Sequence, residues 1–236
     1  MQINENFICS NAIYSVKYLQ EVSDMEDNMT RRLYLLRHAE PEVARGIYYG
    51  GGTDLPLSYE GTLRARNVGA KLGINPTNLF TSTMKRSRQT LELMFPTRKD
   101  SIKEVEGMHE IVMGEWELKS FDEVHDKWGE TFEIEGVDFA DCHCPGGETF
   151  RQVQMRAVTA LEKLLADTDG DLFIATHGGV IWTLLCHYFD FNLNNVFYYP
   201  MQYCSICELE QKKSGMRLVR FNWTPELAVQ ESRWTK

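Results

Sequence analysis

No run of apolar residues in this chain reaches the roughly 18–20 that a membrane helix needs. The nearest candidate, Leu172 to Leu185, is shorter and holds His177 and two glycines. The first residues have neither a basic leader nor a continuous apolar stretch, so no secretory signal is expected. Cysteine is sparse, six in 236 residues. Without a secretion signal these read as reduced thiols, and the expected location is cytoplasmic. Internal repeats and low-complexity tracts are also missing, and a composition of 43% hydrophobic, 25% charged and 11% aromatic residues excludes a disordered tail protein and a fibrous repeat. Positive charge is in deficit, with 25 Lys and Arg against 34 Asp and Glu. The net charge of −9 leaves no overall electrostatic footprint for a polyanion, so no nucleic-acid partner is expected.

The charge that is present falls in blocks. Residues 1–30 hold one lysine and five acids, and residues 31–103 hold thirteen basic and six acidic residues. Residues 104–148 hold two lysines and fourteen acids, and residues 149–236 balance nine against nine. A basic stretch is therefore followed by a strongly acidic one. A solvated acidic face accounts for the second block. An acidic flap over a basic pocket also accounts for it, and would admit a small anion while repelling a large polyanion.

Residues 1–30 read as an N-terminal extension or linker. Ile13, Val16 and Leu19 share a helical face, but Ser23 to Asn28 has the composition of a linker, and Met29 is an alternative start. Residues 31–236 read as the folded domain. Short apolar runs predict strands at Leu33–Leu36, Asn78–Thr81 and Leu172–Ala175. Helical periodicity predicts helices at Glu60–Leu72, Lys85–Met94, Gly147–Ala166 and Val180–Tyr188, with Ser58 capping the first. Tyr203–Leu209 and Met216–Phe221 read as a closing strand pair with Gly215 in the turn. Alternating strands and helices imply an α/β fold, a three-layer sandwich with a mainly parallel central sheet and helices on both faces. The acidic block, 104–146, reads as an irregular insertion over the C-terminal edge of the strands.

In open parallel sheets, ligands gather outside the carboxyl ends of the strands. There the first strand delivers Arg37-His38, and the second delivers Ser82, Lys85, Arg86 and Arg88 at the start of a helix. The third ends in Thr176-His177-Gly178-Gly179 and opens directly into a helix. Glycines let a backbone approach a ligand, and the new helix points free N–H groups and its positive end outward. Arginine forks match phosphate oxygens. The combination implies a phosphate pocket holding two histidines. Each can attack phosphorus as a neutral imidazole or donate to the equatorial oxygens as an imidazolium.

Six segments, in order, carry a resemblance to a known family. They are Leu36-Arg37-His38-Ala39-Glu40, Thr53 to Ser58 with Gly61, Ser82 to Thr90, Glu110 to Trp116, Pro145 to Thr149, and Thr176 to Ile181. The chain resembles the histidine phosphatase superfamily, of phosphoglycerate-mutase-like fold, across roughly residues 31–222. The resemblance implies that His38 is the nucleophile that becomes phosphohistidine. By the same resemblance Arg37, Arg86 and His177 hold the phosphoryl oxygens, and Glu110 protonates the leaving alkoxide. Gly178 is the expected backbone contact, and Arg45 a second phosphate or substrate contact or else a surface arginine. Neither metal nor cofactor is implied, because two arginines and an imidazolium compensate the charge. Carboxylate neighbours within the acidic block are expected to favour the protonated form of Glu110.

Ala39 replaces the commoner glycine after the nucleophile. Pro41 and Ala44 stand where the mutase branch usually has serine and asparagine, which disfavours a phosphoglycerate mutase. Gly46 to Gly50, before Thr53 to Leu57, looks more like the branch with α-ribazole phosphatases of cobalamin nucleotide-loop assembly. The expected activity is therefore metal-independent hydrolysis of a small phosphate monoester, α-ribazole 5′-phosphate being one candidate. A cofactor-dependent mutase, a fructose-2,6-bisphosphatase-like enzyme and a non-catalytic phosphoprotein-binding module are the alternatives. No membrane partner is expected, and a homodimer is left open.

Cys142-His143-Cys144 with Cys204 and Cys207 has the donor types of a zinc site. A strand through Tyr203–Leu209 would send the last two to opposite faces, so no metal is expected. His143 reads as a loop histidine, with a place at the substrate mouth as the alternative. His109 and His187 read as structural. Trp116, Trp128 and Tyr49 read as a small core of the insertion, or as stacking surfaces for a flat substrate.

Overall fold

The computed structural model describes residues 30–132, 138–142, 144–195 and 200–225. The expected extension, apart from Thr30, and His143 lie outside the described residues. β1 (Arg31–Arg37) buries Leu33 to Leu36 on two faces at once. Leu33 and Leu35 join one apolar cluster, while Tyr34 and Leu36 join another. That period-two division is what a strand covered on both sides requires. β2 (Asn78–Ser82), β3 (Lys103–Val105), β4 (Leu172–Thr176), β5 (Ile206–Lys212) and β6 (Gly215–Trp223) complete a sheet of order β3-β2-β4-β1-β5-β6. β1 to β4 run parallel; β5 is antiparallel to β1, and β6 to β5.

The helices are α1 (Tyr59–Lys71), α2 (Lys85–Met94), α3 (Phe121–Phe132), α4 (Phe150–Asp167) and α5 (Gly178–Phe189). α1 and α2 place Ala65, Val68, Leu91 and Met94 against Tyr34, Leu36 and Phe173 on one face of the sheet. α4 and α5 place Val153, Ala157, Leu161, Ile181 and Leu185 against Leu33, Leu35 and Ile174 on the other. The result is the three-layer α/β arrangement expected. The Ser58 hydroxyl caps α1 by accepting from the Gly61 N–H at 3.0 Å. Any side chain at Gly61 would overlap the carbonyl oxygen of Glu40, so glycine lets α1 press on the loop that follows β1. α4 begins at Phe150, where Thr149 and Gln152 form a capping box.

Two expectations need correction. β5 begins at Ile206 rather than Tyr203, because Cys204 has φ +59 and gives its N–H to the carbonyls of Arg37 and His38. Cys204 and Cys207 still reach opposite sides of the sheet, in different apolar clusters. The 104–146 block is not simply irregular. It contributes two residues of β3, two short 3-10 turns and α3. Trp116, Val124 and Cys144 are buried together, with Tyr48, Met113 and Trp128 packed on them, so the two tryptophans build a local core. The density of acids had masked the i,i+4 pair Val124 and Trp128. Through the backbone, this block is tied to the loop after β1 (Tyr48 N–H to Lys119 O, Leu118 N–H to Tyr48 O, Gly51 N–H to Ile111 O).

Candidate active site

Because β1 and β4 are parallel neighbours with Arg37 level with Thr176, their last residues emerge side by side. The His38 N–H donates to the Thr176 carbonyl at 3.0 Å, continuing the ladder past both strands. Thr90, one turn along α2 from Arg86, donates its hydroxyl to the Arg86 carbonyl and accepts from the Ala39 N–H at 2.9 Å. The residue after His38 is thus pinned to the helix that delivers Arg86.

His38 is 2% exposed. Its Nδ1 lies 2.6 Å from the Ala39 carbonyl oxygen, and its Nε2 lies 3.2 Å from Nε of Arg86. A guanidinium can only donate, so Nε2 is the acceptor and the proton resides on Nδ1, shared with the Ala39 carbonyl. The Nε2 lone pair is thereby fixed in direction. Burial, then Arg86 and Arg37, hold the imidazole well below its ordinary value, so it is neutral at neutral pH. Arg86 is itself fully buried and donates to the carbonyls of Thr53 and Gly50, both at 3.0 Å. Burial lowers its pKa, and Glu110 leads the groups that oppose this.

His177 is fully buried and forms the N-cap of α5. Its Nε2 is 2.8 Å from the Ser82 hydroxyl and 3.3 Å from that of Ser87. Ser82 Oγ also accepts from the Met84 N–H at 3.4 Å, and where its hydroxyl donates to Nε2 the imidazole proton lies on Nδ1. That Nδ1 is buried and has no hydrogen-bond partner among the described residues; the same is true of Nε of Arg37. A buried donor without an acceptor costs about 1–3 kcal/mol. Two of them within one pocket are relieved by an oxyanion. The expected imidazolium at 177 is corrected, since burial, followed by Arg86 and His38, holds His177 well below the ordinary imidazole value. It is a neutral N–H donor.

Glu110 reaches the same pocket from the acidic block. Its Oε2 accepts from the Gly179 N–H at 3.2 Å and its Oε1 from the Ile111 N–H at 2.9 Å. Only glycine allows this approach, because a Cβ at 179 would stand 2.5 Å from Oε1. Two expectations change here. The hydrogen-bond partners of the Glu110 carboxylate are backbone donors, not other acids of its block. The N-terminus of α5 is also not wholly free, since Glu110 takes one of its N–H groups. Arg156 of α4 braces this segment by donating to the carbonyls of Gly107, His109 and Glu110 and to Glu148.

The structure therefore brings His38, Arg37, Arg86, His177, Gly178 and Glu110 to one place. Arg45 is exposed in the turn before Gly46 and lines a shallow cavity with Glu40, Glu42 and Glu60. Arg88 faces away, paired with Glu92 and Glu104, and Lys85 pairs with Asp54. His187 lies against Tyr188 in the last turn of α5. The sequence reading missed Tyr203, whose ring centroid is 5.7 Å from that of His38, and Ser82 and Ser87 as partners of His177. Tyr49, expected in the local core or on a substrate ring, instead bonds Tyr203 hydroxyl to hydroxyl at 2.6 Å. A cavity of about 710 Å³ adjoins the site through Arg37 and Tyr203, but His38, Arg86, Glu110 and His177 do not line it.

The two buried imidazoles have a consequence for stability. Unfolded histidines titrate near pH 6.5. Below that pH the unfolded chain binds protons that folded His38 and His177 refuse, so stability falls as pH falls. Urea midpoints are expected to decline from pH 7.5 to 5.5, and to decline less in His38→Ala. Equal slopes in the two proteins would contradict a neutral His38.

The model of the histidine phosphatase superfamily (branch 1) matches residues 33–224. The adenosylcobalamin/alpha-ribazole phosphatase of Salmonella typhimurium is 26% identical over 156 residues, 65% of this chain and 77% of that protein. The rat 6-phosphofructo-2-kinase/fructose-2,6-bisphosphatase 1 is 25% identical over 191 residues, 80% of this chain and 39% of that one. Among solved structures, Bacillus stearothermophilus YhfR superposes with a TM-score of 0.74 at 28% identity, covering 81% of this chain and 96% of that chain.

Proposed function

The chain belongs to the histidine phosphatase superfamily, and from that premise we propose that it hydrolyses a small phosphate monoester through a phosphohistidine at His38, without a metal. The observation that carries this reading is the lone pair of buried, neutral His38, fixed by the Ala39 carbonyl and Arg86, beside the two unpartnered donors of Arg37 and His177. Nε2 of His38 attacks phosphorus as the ester oxygen departs, and Glu110 gives that oxygen a proton. Arg37, Arg86, the His177 N–H and the Gly178 backbone offset the charge on the equatorial oxygens. Water then attacks the phosphohistidine and loses a proton to Glu110, and inorganic phosphate leaves.

For the substrate, α-ribazole 5′-phosphate is the leading candidate. The glycine-rich segment 46–53 supports it, as does the name of the Salmonella relative. The rat relative keeps a fructose-2,6-bisphosphatase-like activity as the second reading. The reading includes a cytoplasmic location, with no nucleic-acid or membrane partner, and a homodimer remains compatible with it. The test is phosphate release in EDTA from α-ribazole 5′-phosphate, fructose 2,6-bisphosphate, 3-phosphoglycerate and p-nitrophenyl phosphate. Release in EDTA is expected, with kcat/KM highest for α-ribazole 5′-phosphate. Preference for the bisphosphate would move the chain to the second reading. Isomerisation of phosphoglycerate without net release would make it a mutase, and binding without turnover a phosphoprotein-binding module.

A further inference from the structure

Arg37, half-buried at the end of β1, is fixed in an unusual way. Its Nη1 donates to the Met201 carbonyl, and its guanidinium carbon lies 4.1 Å from the centroid of the Tyr203 ring. No carboxylate pairs with it among the described residues. A carboxylate would orient the fork but cancel its charge. An aromatic face orients it while leaving the charge for a ligand. Tyr203 is held in turn by the hydroxyl of Tyr49, and the neighbouring Cys204 N–H is bonded to the carbonyls of Arg37 and His38. Tyr49 stands next to Gly50, whose carbonyl accepts from Arg86, and its ring centroid is 5.5 Å from the Arg86 guanidinium. A continuous row Arg37–Tyr203–Tyr49–Arg86 thus joins the two cations that flank the nucleophile.

We propose that Tyr203 is a positioning residue that holds the guanidinium of Arg37 on the phosphoryl group by stacking, and that Tyr49 latches it in place. The inference rests on the phosphate-site reading given above. Two loops distant in sequence set the spacing of the two forks, and the nucleophile lies between them. An unstacked Arg37 has several rotamers to choose from and must lose that freedom at each binding event. The loss would appear in phosphate affinity and KM more than in kcat, because the contact serves bound substrate and transition state alike.

The experiment is calorimetric titration with inorganic phosphate, together with p-nitrophenyl phosphate kinetics, on the parent and on Tyr203→Phe, Tyr203→Leu and Tyr49→Phe. Tyr203→Phe and Tyr49→Phe keep the stack and lose only the latch, so affinity is expected to fall no more than about threefold. Tyr203→Leu keeps a bulky apolar side chain but has no π face, and is expected to weaken phosphate and raise KM about tenfold. In an Arg37→Ala background, Tyr203→Leu should have no further effect, which a general packing defect would not reproduce. Leucine equal to phenylalanine, or an undiminished loss without Arg37, would overturn the proposal. A parent that binds phosphate but releases none from p-nitrophenyl phosphate defeats the hydrolase reading and leaves this series measurable. A parent that binds no phosphate defeats both.

Discussion

His38→Ala is expected to lower turnover of every phosphomonoester by about 10⁴-fold or more, while inorganic phosphate still binds. The argument lies in the tautomer. Arg86 can only donate to Nε2, so the imidazole presents a lone pair, and burial with two nearby cations keeps that lone pair free of a proton. None of the other groups gathered at the strand ends can replace it. The guanidinium groups of Arg37 and Arg86 have no lone pair to offer, and His177 has its Nε2 engaged by Ser82 and Ser87. The remaining donors should retain phosphate, which separates loss of chemistry from loss of the site. Removing the imidazole also strips Arg86 of an acceptor, at a cost of about 1–3 kcal/mol. The variant should therefore melt earlier but remain folded, and phosphate titration reports that directly. Rapid quench of the parent with labelled substrate should trap an acid-labile, alkali-stable phosphoprotein that the variant lacks. A variant turning over within about tenfold of the parent would remove His38 from the nucleophile's place.

The parts of this site that could be read in the sequence are those delivered by regular elements. Leu33 to Leu36 and Leu172 to Ala175 are unbroken apolar runs, so the points where they stop, at Arg37-His38 and Thr176-His177, mark strand ends on a buried sheet. Arg86 begins a helix whose buried face, Thr90, Leu91 and Met94, repeats at helical spacing. What escaped were interactions made by loops and by backbone. Tyr203 sits beside a cysteine in a left-handed conformation, where a continuing strand seemed natural, and its partner Tyr49 comes from the loop between β1 and α1, 154 residues away. Neither signals its position through periodicity. β3 is three residues long and too short to show a pattern. Glu110 illustrates the limit best, because its segment is rich in acids, Glu104, Glu106, Glu115 and Glu117 among them, while its carboxylate accepts from the N–H groups of Ile111 and Gly179. Local composition described its segment correctly but not the environment of its carboxylate.

Glu110→Gln is expected to slow alkyl phosphates by about 10²–10³-fold and aryl phosphates by less than about tenfold. The difference follows from the leaving group. An alkoxide is too basic to depart without a proton, whereas a nitrophenolate leaves readily as the anion. Glu110 is held where the proton is needed, with its carboxyl against the first turn of α5 and next to Gly178 and His177. The proton that Glu110 passes on is brought by the substrate monoanion. Phosphate monoesters lose their second proton near pH 6. Alkyl ester hydrolysis by the parent should accordingly fall as pH rises above about 6, more steeply than aryl hydrolysis. Glutamine preserves the shape and can still accept from Gly179, but its amide has no proton to give and cannot accept from Ile111 at its second position. Thermal melts of the variant would show whether that lost bond disturbs the fold. Arg156, which braces the Glu110 carbonyl from α4, stays intact in the variant and keeps the segment in register. Alkyl and aryl esters slowed by the same factor would remove Glu110 from the acid's role and assign it to positioning alone.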